Sequence, residues 1–206
     1  MGLVLERISS GWSEAADRVR PSLVHVLSHG RGAGAGTIWH ALGLIVTNAH
    51  VAGAGRLTVR CLGGAEYPAT VLACDHRLDL AALAIEAEDL PAIELGASRQ
   101  LRSGQLVLAM GHPWGIAYAA TLGSVIEVGK HLAELPKAEG EWIAVSLHLR
   151  PGHSGGALID VHGRLVGINT LMAGPDVGMA IPVEVAKRFM QQALARRSAS
   201  RTRLAA

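Results

Sequence analysis

The sequence predicts an all-β protein with two six-stranded antiparallel β-barrels, an N-terminal helical segment and a C-terminal helix. Short runs of Val, Leu, Ile and Ala alternate with Gly, Asn and Asp turns between residues 22 and 182. Glycine accounts for 25 of the 206 residues, well above its usual share of about 7%. The runs follow one another too closely for helical crossovers, so neighbouring strands should pair antiparallel.

Composition excludes several function classes. The net charge is +2, and the basic residues are scattered except in the C-terminal ARRSASRTRLAA, which we interpret as a solvated end. We therefore expect no nucleic-acid partner. The N-terminus has no basic start followed by a long apolar run, so we expect no signal peptide, no membrane span and a cytoplasmic location for the chain as given. Cys61 and Cys74 are expected to be free thiols.

The first half of the chain predicts a helix followed by six strands. Apolar side chains at Val4, Leu5, Ile8 and Trp12 follow a helical spacing, which indicates a helical segment over 3–20 that ends near Pro21. The first barrel should span about 22–90. Its strands are predicted in SLVHVL, AGTIW, GLIVTNAHV, RLTVRCL, YPATVLACD and LDLAALAIE.

The second half predicts six more strands and a helix, with no obvious sequence repeat of the first half. After the polar segment AEDLPAIELGASRQLRSG, the second barrel should span about 103–181, and a helix over about 182–197 should begin at Pro182. One helix face carries Val185, Ala186, Phe189, Met190, Ala193 and Leu194. We expect one domain over 1–206, with any active site in the cleft between the barrels.

The segment RPGHSGGALID contains a candidate nucleophile, Ser154. A G-x-S-x-G string also occurs in ordinary turns, and a serine hydroxyl needs a base and an orienting acid before it can attack. His50 follows the buried run GLIVTNA, and Asp79 immediately precedes an apolar run that would desolvate its carboxylate. Asp75, in a polar turn, is expected to be solvated. His50, Asp79 and Ser154 are therefore the candidate catalytic residues.

The order His, Asp, Ser distinguishes between the folds that use these three residues. α/β-Hydrolases run Ser, acid, His, and subtilisin-like enzymes run Asp, His, Ser, whereas double-barrel proteases run in the order found here. The residues after Ser154 read strand, turn, strand, and His162 is the only later histidine. No histidine pair has a convincing zinc spacing with a third ligand, so we expect neither a metal nor a cofactor.

Five segments together resemble the protease domain of the HtrA/Deg family of trypsin-like serine proteases, over roughly residues 16–194. They are GLIVTNAHV, DLAALAI, GHPWGIAYAATLGSVI, GHSGGALID and GRLVGINTLMAGPDVGMAIP. The resemblance implies trypsin-like barrels and a triad of His50, Asp79 and Ser154. It further implies a serine endopeptidase that cleaves unfolded or exposed polypeptides in protein quality control. A homotrimer is common in that family.

The backbone around the serine predicts how a substrate would bind. The N–H groups of Gly152 and Ser154 are the natural oxyanion donors, since a glycine at 152 allows the required turn. A substrate strand should add along GINTLM, with Asn169, Thr170 and Leu171 as the edge.

The resemblance places the specificity pocket between HLRPG and this same segment. Leu149, Leu171 and Met172 would make the pocket apolar, which favours a small or medium aliphatic residue before the cleaved bond. His148 and Arg150 leave open a preference for acidic residues.

Four departures from the family pattern affect regulation. His153 stands where Asn is usual, and we expect it to alter the resting loop without abolishing catalysis. No Asp occupies that position, which excludes activation through an ion pair to a new N-terminus. The short segment LSHGRGAGAG lacks a long regulatory loop. We also expect no PDZ domain, and hence no allosteric peptide sensing through one.

Two other functions stay open at this point. A catalytically silent peptide-binding or chaperone-like module would keep the triad in an inactive geometry and capture strands without cutting them. A hydrolase of small esters would prefer activated esters over long peptides.

Overall fold

Two closed antiparallel barrels form the centre of the computed structural model, which describes residues 2–53, 55–129 and 140–204. The first barrel contains β1 (Leu23–Ser28), β2 (Arg31–His40), β3 (Leu44–Thr47), β4 (Leu57–Arg60), β5 (Glu66–Asp75) and β6 (Leu80–Ala84). The second contains β7 (Leu106–Gly111), β8 (Ala119–Gly129), β9 (Trp142–Ser146), β10 (Ala157–Ile159), β11 (Leu165–Met172) and β12 (Val177–Pro182). The predicted fold class is confirmed.

The two barrels share one topology. The first runs β1-β2-β3-β6-β5-β4, and the second, read from β7, runs β7-β8-β9-β12-β11-β10. Each closes by pairing its first strand with its fourth, β1 with β4 and β7 with β10. The same strand order is therefore built twice from segments without an obvious sequence repeat.

Strand alternation divides the apolar residues among three cores. In β3, Ile45 points into the first barrel, while Leu44 and Val46 face the contact between the barrels. In β7, Val107 points into the second barrel and Met110 faces that same contact. Because both faces are covered, these strands read as continuous apolar runs and not as alternating ones.

The N-terminal helix α1 (Gly2–Val19) packs only through its second half. Trp12, Ala15, Ala16 and Val19 are buried against the second barrel and its neighbours. Of the other apolar positions that predicted this helix, Val4, Leu5 and Ile8 are exposed. The apolar spacing therefore predicted the helix itself, but only Trp12 among those positions lies in the core.

The C-terminal helix α3 (Val183–Leu204) begins one residue later than predicted, because Pro182 is still paired with Gly167 as the last residue of β12. Five residues of the predicted face are buried: Val185, Ala186, Phe189, Met190 and Ala193. Leu194 is 39% exposed, so its assignment to the packed face was wrong. α3 covers the contact between the barrels.

The cysteines and the helices can be compared with what the composition predicted. Cys61 is buried and Cys74 exposed, and both are free thiols. Within the described residues, no helix has the length and apolar character needed to cross a membrane.

Candidate active site

Pairing of β3 with β6 brings His50 and Asp79 together. His50 lies in the single-turn helix α2 (Ala49–Ala52) directly after β3, and Asp79 immediately precedes β6. His50 Nδ1 is 2.9 Å from Asp79 Oδ2 and 3.0 Å from Oδ1. The His50 backbone N–H also donates to Oδ1, at 3.1 Å. The carboxylate therefore fixes both the ring and the turn that carries it.

Asp79 is held by neighbours from both barrels. Its backbone has a positive φ of 52°, and Asn48 Nδ2 donates to its carbonyl at 2.9 Å. Thr170 Oγ1, from the second barrel, donates to Asp79 Oδ2 at 2.5 Å. Burial pushes the pKa of the Asp79 carboxyl upward, but hydrogen bonds from the His50 ring, Thr170 and the His50 N–H outweigh it and lower the pKa below its usual value. Asp79 is thus an anion at neutral pH.

Asp75, expected to be solvated, has a turn-forming role. Its Oδ1 accepts hydrogen bonds from the backbone N–H groups of Arg77 and Leu78. This turn leads the chain into Asp79.

Ser154 lies in the same cleft as His50, but its hydroxyl is directed elsewhere. The cleft has a volume of about 350 Å³. Ser154 Oγ donates to the Thr170 carbonyl at 2.8 Å, and the structure gives it no hydrogen bond to the His50 ring within the described chain. The Ser154 carbonyl accepts the N–H of Ala35, in β2, at 2.8 Å. Ser154 is therefore bonded to the first barrel through its backbone carbonyl and to the second barrel through its hydroxyl.

The loop before Ser154 presents two unused N–H donors. The Pro151 carbonyl accepts the Trp114 N–H at 3.2 Å, so the Gly152 N–H across the same planar trans peptide points the opposite way. Neither Gly152 N nor Ser154 N donates to any acceptor in the described part of the chain. Gly152 has φ +106°, and a Cβ there would collide with the His112 carbonyl. Two free N–H donors on either side of His153 are the groups that an oxyanion would require.

The end of β11 offers an open edge beside this loop. β11 pairs with β10 only through Leu165–Ile168, and its pairing with β12 is interrupted between Asn169 and Met172. Thr170, Leu171 and Met172 line the cleft, together with Leu149. This leaves backbone groups of the segment 170–172 available to an added strand.

Asn169 was predicted to lie at the substrate edge, and this was wrong. The residue is fully buried, and Asn169 Nδ2 donates to the carbonyls of Met110 and Ala157 at 3.1 and 2.9 Å. Its backbone N–H and carbonyl are both occupied by Gly156 and Gly155. Because the segment 155–157, at the start of β10, covers β11 as far as Asn169, the free edge begins at Thr170.

The predicted specificity pocket has apolar walls that touch. Leu149 is buried, and its N–H donates to Met172 Sδ at 3.1 Å, so Met172 joins the loop before the serine to β11. At the rim, the Arg150 guanidinium lies 4.7 Å from the centroid of the Trp114 ring. His148 pairs with Asp176 at 3.1 Å.

Comparison with known proteins identifies the family. A family model described as a trypsin-like peptidase domain matches residues 34–168. A solved structure of the HtrA-type protease AlgW with a decapeptide superimposes with a TM-score of 0.82 at 30% identity, covering 89% of this chain and 67% of that chain. The chain belongs to the trypsin-like peptidases of the HtrA type.

Relatives of this HtrA-type domain occur in mammals and bacteria. Serine protease HTR4 of Rattus norvegicus is 36% identical over 189 residues, which cover 84% of this chain and 38% of that protein. A probable periplasmic serine endoprotease, DegP-like, of Hahella chejuensis is 38% identical over 165 residues, covering 77% of this chain and 35% of that protein. The chain spans about two fifths of the length of the curated relatives it matches.

Sequence reasoning missed two residues at this HtrA-type site and gave a third an incomplete role. Thr170 was assigned only to substrate binding, but its hydroxyl also binds Asp79. Asn48, a buried polar residue beside His50, supports the Asp79 backbone, and its place at the end of an apolar strand was an available signal. His112 donates its N–H to the Gly152 carbonyl. No local pattern points to that contact, because it depends on how β7 meets the loop.

Proposed function

We propose that this HtrA-type domain is a serine endopeptidase that cleaves exposed or unfolded polypeptides in protein quality control. The observation that carries the proposal is the position of Ser154 in one cleft with the His50–Asp79 pair, beside two unused backbone N–H donors. A base with an ionised partner and a preformed oxyanion site are the two requirements of acyl transfer by a serine.

In the proposed mechanism, the Ser154 hydroxyl rotates toward His50 and attacks a substrate carbonyl. His50 accepts the hydroxyl proton and then delivers it to the leaving amine, while Asp79 holds the ring and stabilises its cationic form. The carbonyl oxygen, which becomes an anion, is bound by the N–H groups of Gly152 and Ser154. Water then repeats the steps on the acyl-enzyme and releases the second product.

Substrate binding itself would assist that rotation. The Thr170 carbonyl, which accepts the Ser154 hydroxyl in the resting site, lies on the open edge where an added strand would donate its own N–H. A bound substrate therefore competes for this acceptor and frees the hydroxyl to face His50. The movement is a change of the single side-chain torsion of Ser154 from one staggered rotamer to another.

Small or medium aliphatic side chains before the cleaved bond fit this cleft best. Leu149, Leu171 and Met172 provide apolar walls, and the bond from the Leu149 N–H to Met172 Sδ joins two of these walls. A larger aromatic ring would have to displace Met172, an unbranched side chain that adapts its shape.

Activity profiling with a peptide library and a fluorophosphonate probe tests the proposal. The native protein should label at Ser154 and cleave after aliphatic residues, whereas Ser154→Ala should lose labelling and at least about 10⁴-fold in kcat. Ser146→Ala, at an exposed serine at the end of β9, is the matched control and should leave both unchanged. Labelling that persists in Ser154→Ala would contradict the assignment.

The direction of the Ser154 hydroxyl favours one alternative, a catalytically silent peptide-binding module. If the hydroxyl stays on the Thr170 carbonyl when peptide binds, strands are captured and not cut. Calorimetric binding of library peptides without turnover at any pH would support this alternative, and detectable cleavage would exclude it.

We further propose that the protein self-associates through the exposed apolar side of α1. Leu3, Val4 and Leu5 are exposed on its first half, and Ile8 lines a groove of about 460 Å³ between α1 and the second barrel. The resemblance to the HtrA family favours a homotrimer. Light scattering should give three times the chain mass of 21.5 kDa, and Ile8→Glu should lower it. A single-chain mass for the native protein would contradict the trimer.

A further inference from the structure

Three histidines that the proposed mechanism does not use lie at the oxyanion loop, residues 150–154: His153 belongs to the loop, His112 contacts it, and His25 stacks on His112. His25, in β1, stacks on His112 with ring centroids 4.6 Å apart and planes inclined by 16°. Tyr118 packs edge-on against the other side of His112 at 4.9 Å. His112 is 2% exposed and His153 1% exposed. Two imidazoles are thus fully enclosed next to the catalytic serine.

These two rings and their backbones fix the path of the loop. The His112 N–H donates to the Gly152 carbonyl at 2.8 Å, and His112 Nδ1 accepts the Tyr118 N–H at 3.2 Å. His153 Nδ1 accepts the Arg150 N–H at 3.0 Å, and the His153 N–H returns a bond to the Arg150 carbonyl at 2.9 Å. The backbone of His112 thus holds the peptide that follows Gly152, and the ring and backbone of His153 hold Arg150, two residues before Gly152.

Burial and the hydrogen bonds accepted by each Nδ1 favour the neutral form of both rings over the charged form, which only the backbone of Val24 favours at His112 and the backbone of Arg150 at His153. An Nδ1 atom that accepts a hydrogen bond cannot also carry a proton, and Nε2 of each ring is buried without a hydrogen-bond partner. Besides burial, the nearby cationic groups His25 and His153 lower the pKa of His112, and Arg60 lowers the pKa of His25. Arg150 and His148 likewise lower the pKa of His153. None of these described neighbours is a carboxylate, and Asp176 is engaged by His148.

Burial reinforces this preference. It lowers the pKa of His112 to about 4, helped by the neighbouring His25, and it lowers the pKa of His153 below the ordinary value. Near neutral pH both rings therefore carry no charge.

We propose that neutral His112 and His153 are positioning residues of the oxyanion hole, and that proton uptake by this pair releases the oxyanion loop independently of His50. A protonated His153 loses the bond from the Arg150 N–H, and Nδ1–H turns to the Arg150 carbonyl, 3.2 Å away. A protonated His112 loses the bond from the Tyr118 N–H and places a charge in the stack. The inference rests on the proposed endopeptidase function.

The pH dependence of kcat/KM for an internally quenched peptide tests the proposal. His112→Asn/His153→Asn keeps an acceptor oxygen near each Nδ1 position but does not titrate. Near pH 7 the double variant should stay within about threefold of the native protein, since neutral acceptors remain in place. At about pH 4, where half of the His112 rings are protonated, the double variant should keep at least about twofold more of its neutral activity than the native protein, because it lacks the two imidazoles whose proton uptake releases the loop.

The slope of log kcat/KM against pH on the acid side shows whether proton uptake by His112 and His153 contributes to the loss of activity. The native protein should approach a slope of about two in log kcat/KM per pH unit, and the double variant a slope of about one. His162→Asn, at an exposed histidine in the turn after β10, is the matched control and should keep the native slope. Equal slopes in the native protein and the double variant would overturn the proposal.

A second measurement needs neither activity nor a substituted histidine. In Ser154→Ala, the protection of the His112 amide against hydrogen exchange reports its bond to the Gly152 carbonyl, and it should fall at least about tenfold between pH 7 and pH 4. Unchanged protection would overturn the proposal even if the double variant does not fold. If the native protein cleaves nothing at any pH while this protection still falls, the endopeptidase function fails and the loop switch stands.

Discussion

The two barrels share one strand order but leave their halves of the site in different states. The first barrel presents a completed pair, in which His50 and Asp79 are joined through ring and backbone. The second presents an uncompleted half, in which the Ser154 hydroxyl bonds to the Thr170 carbonyl and the Gly152 N–H has no acceptor in the described chain. In the proposed mechanism, the His50–Asp79 pair is therefore set before substrate arrives, whereas the Ser154 hydroxyl still has to turn and the Gly152 N–H still has to receive the substrate oxygen.

The difference follows from what supports each half. His50 and Asp79 sit at the ends of two paired strands whose opposite faces are both buried, so packing fixes them. Ser154 follows a loop whose shape depends on a few hydrogen bonds to Trp114 and His112. Binding loops on rigid scaffolds commonly have this lower local stability.

Asp79→Asn tests the completed half and should have the largest effect. The amide would hold the His50 ring in the wrong tautomer, so kcat should fall by about 10⁴-fold while the fold is retained. Asn also tolerates the positive φ at this position. Asp75→Asn, which keeps the turn-forming oxygen, is the control. A fall of less than about tenfold in Asp79→Asn would show that the pair does not act as a unit.

Acid sensitivity of folding tests the second half. The folded state holds the His112 pKa at about 4, against an ordinary value of 6.5. Between these pH values the His112 ring is protonated in the unfolded chain but not in the folded chain. The free energy of unfolding therefore decreases as the pH falls through this window. The loss attributable to His112 should reach about 3 kcal/mol. Urea unfolding at both ends of the window should show a smaller pH difference for His112→Asn, and an equal difference would contradict the assignment.

Thr170→Val tests the single side chain that joins the two halves, and its effect should be the smallest. The substitution removes the hydroxyl bond to Asp79 but keeps the backbone edge and the side-chain volume. We expect a loss of about tenfold in kcat with little change in KM, because one charge-assisted hydrogen bond is lost. Thr170→Ser should restore kcat. A change confined to KM would instead assign Thr170 to substrate binding alone.

The sequence pattern predicted the secondary structure and the barrel architecture. Strand alternation and turn residues are written in the chain, and His50 and Asp79 could be selected because polar residues border buried strands. Ile8 and Leu194 lie on the predicted helix faces but are exposed, since tertiary packing decides how far such a face is covered. The prediction for Asn169 was wrong for a related reason, because the start of the free edge depends on how far the segment at the start of β10 covers β11.

The bond between the Ser154 carbonyl and the Ala35 N–H has a mechanical consequence. It ties the nucleophile to β2, which pairs with β3, the strand that leads into His50. The neighbouring Gly155 N–H donates to the Asn169 carbonyl of β11, so the serine backbone is clamped between the two barrels. A displacement of one barrel against the other would strain this clamp, so substitutions in the shared core that move the barrels apart should lower the rate of cleavage as well as the stability of the fold.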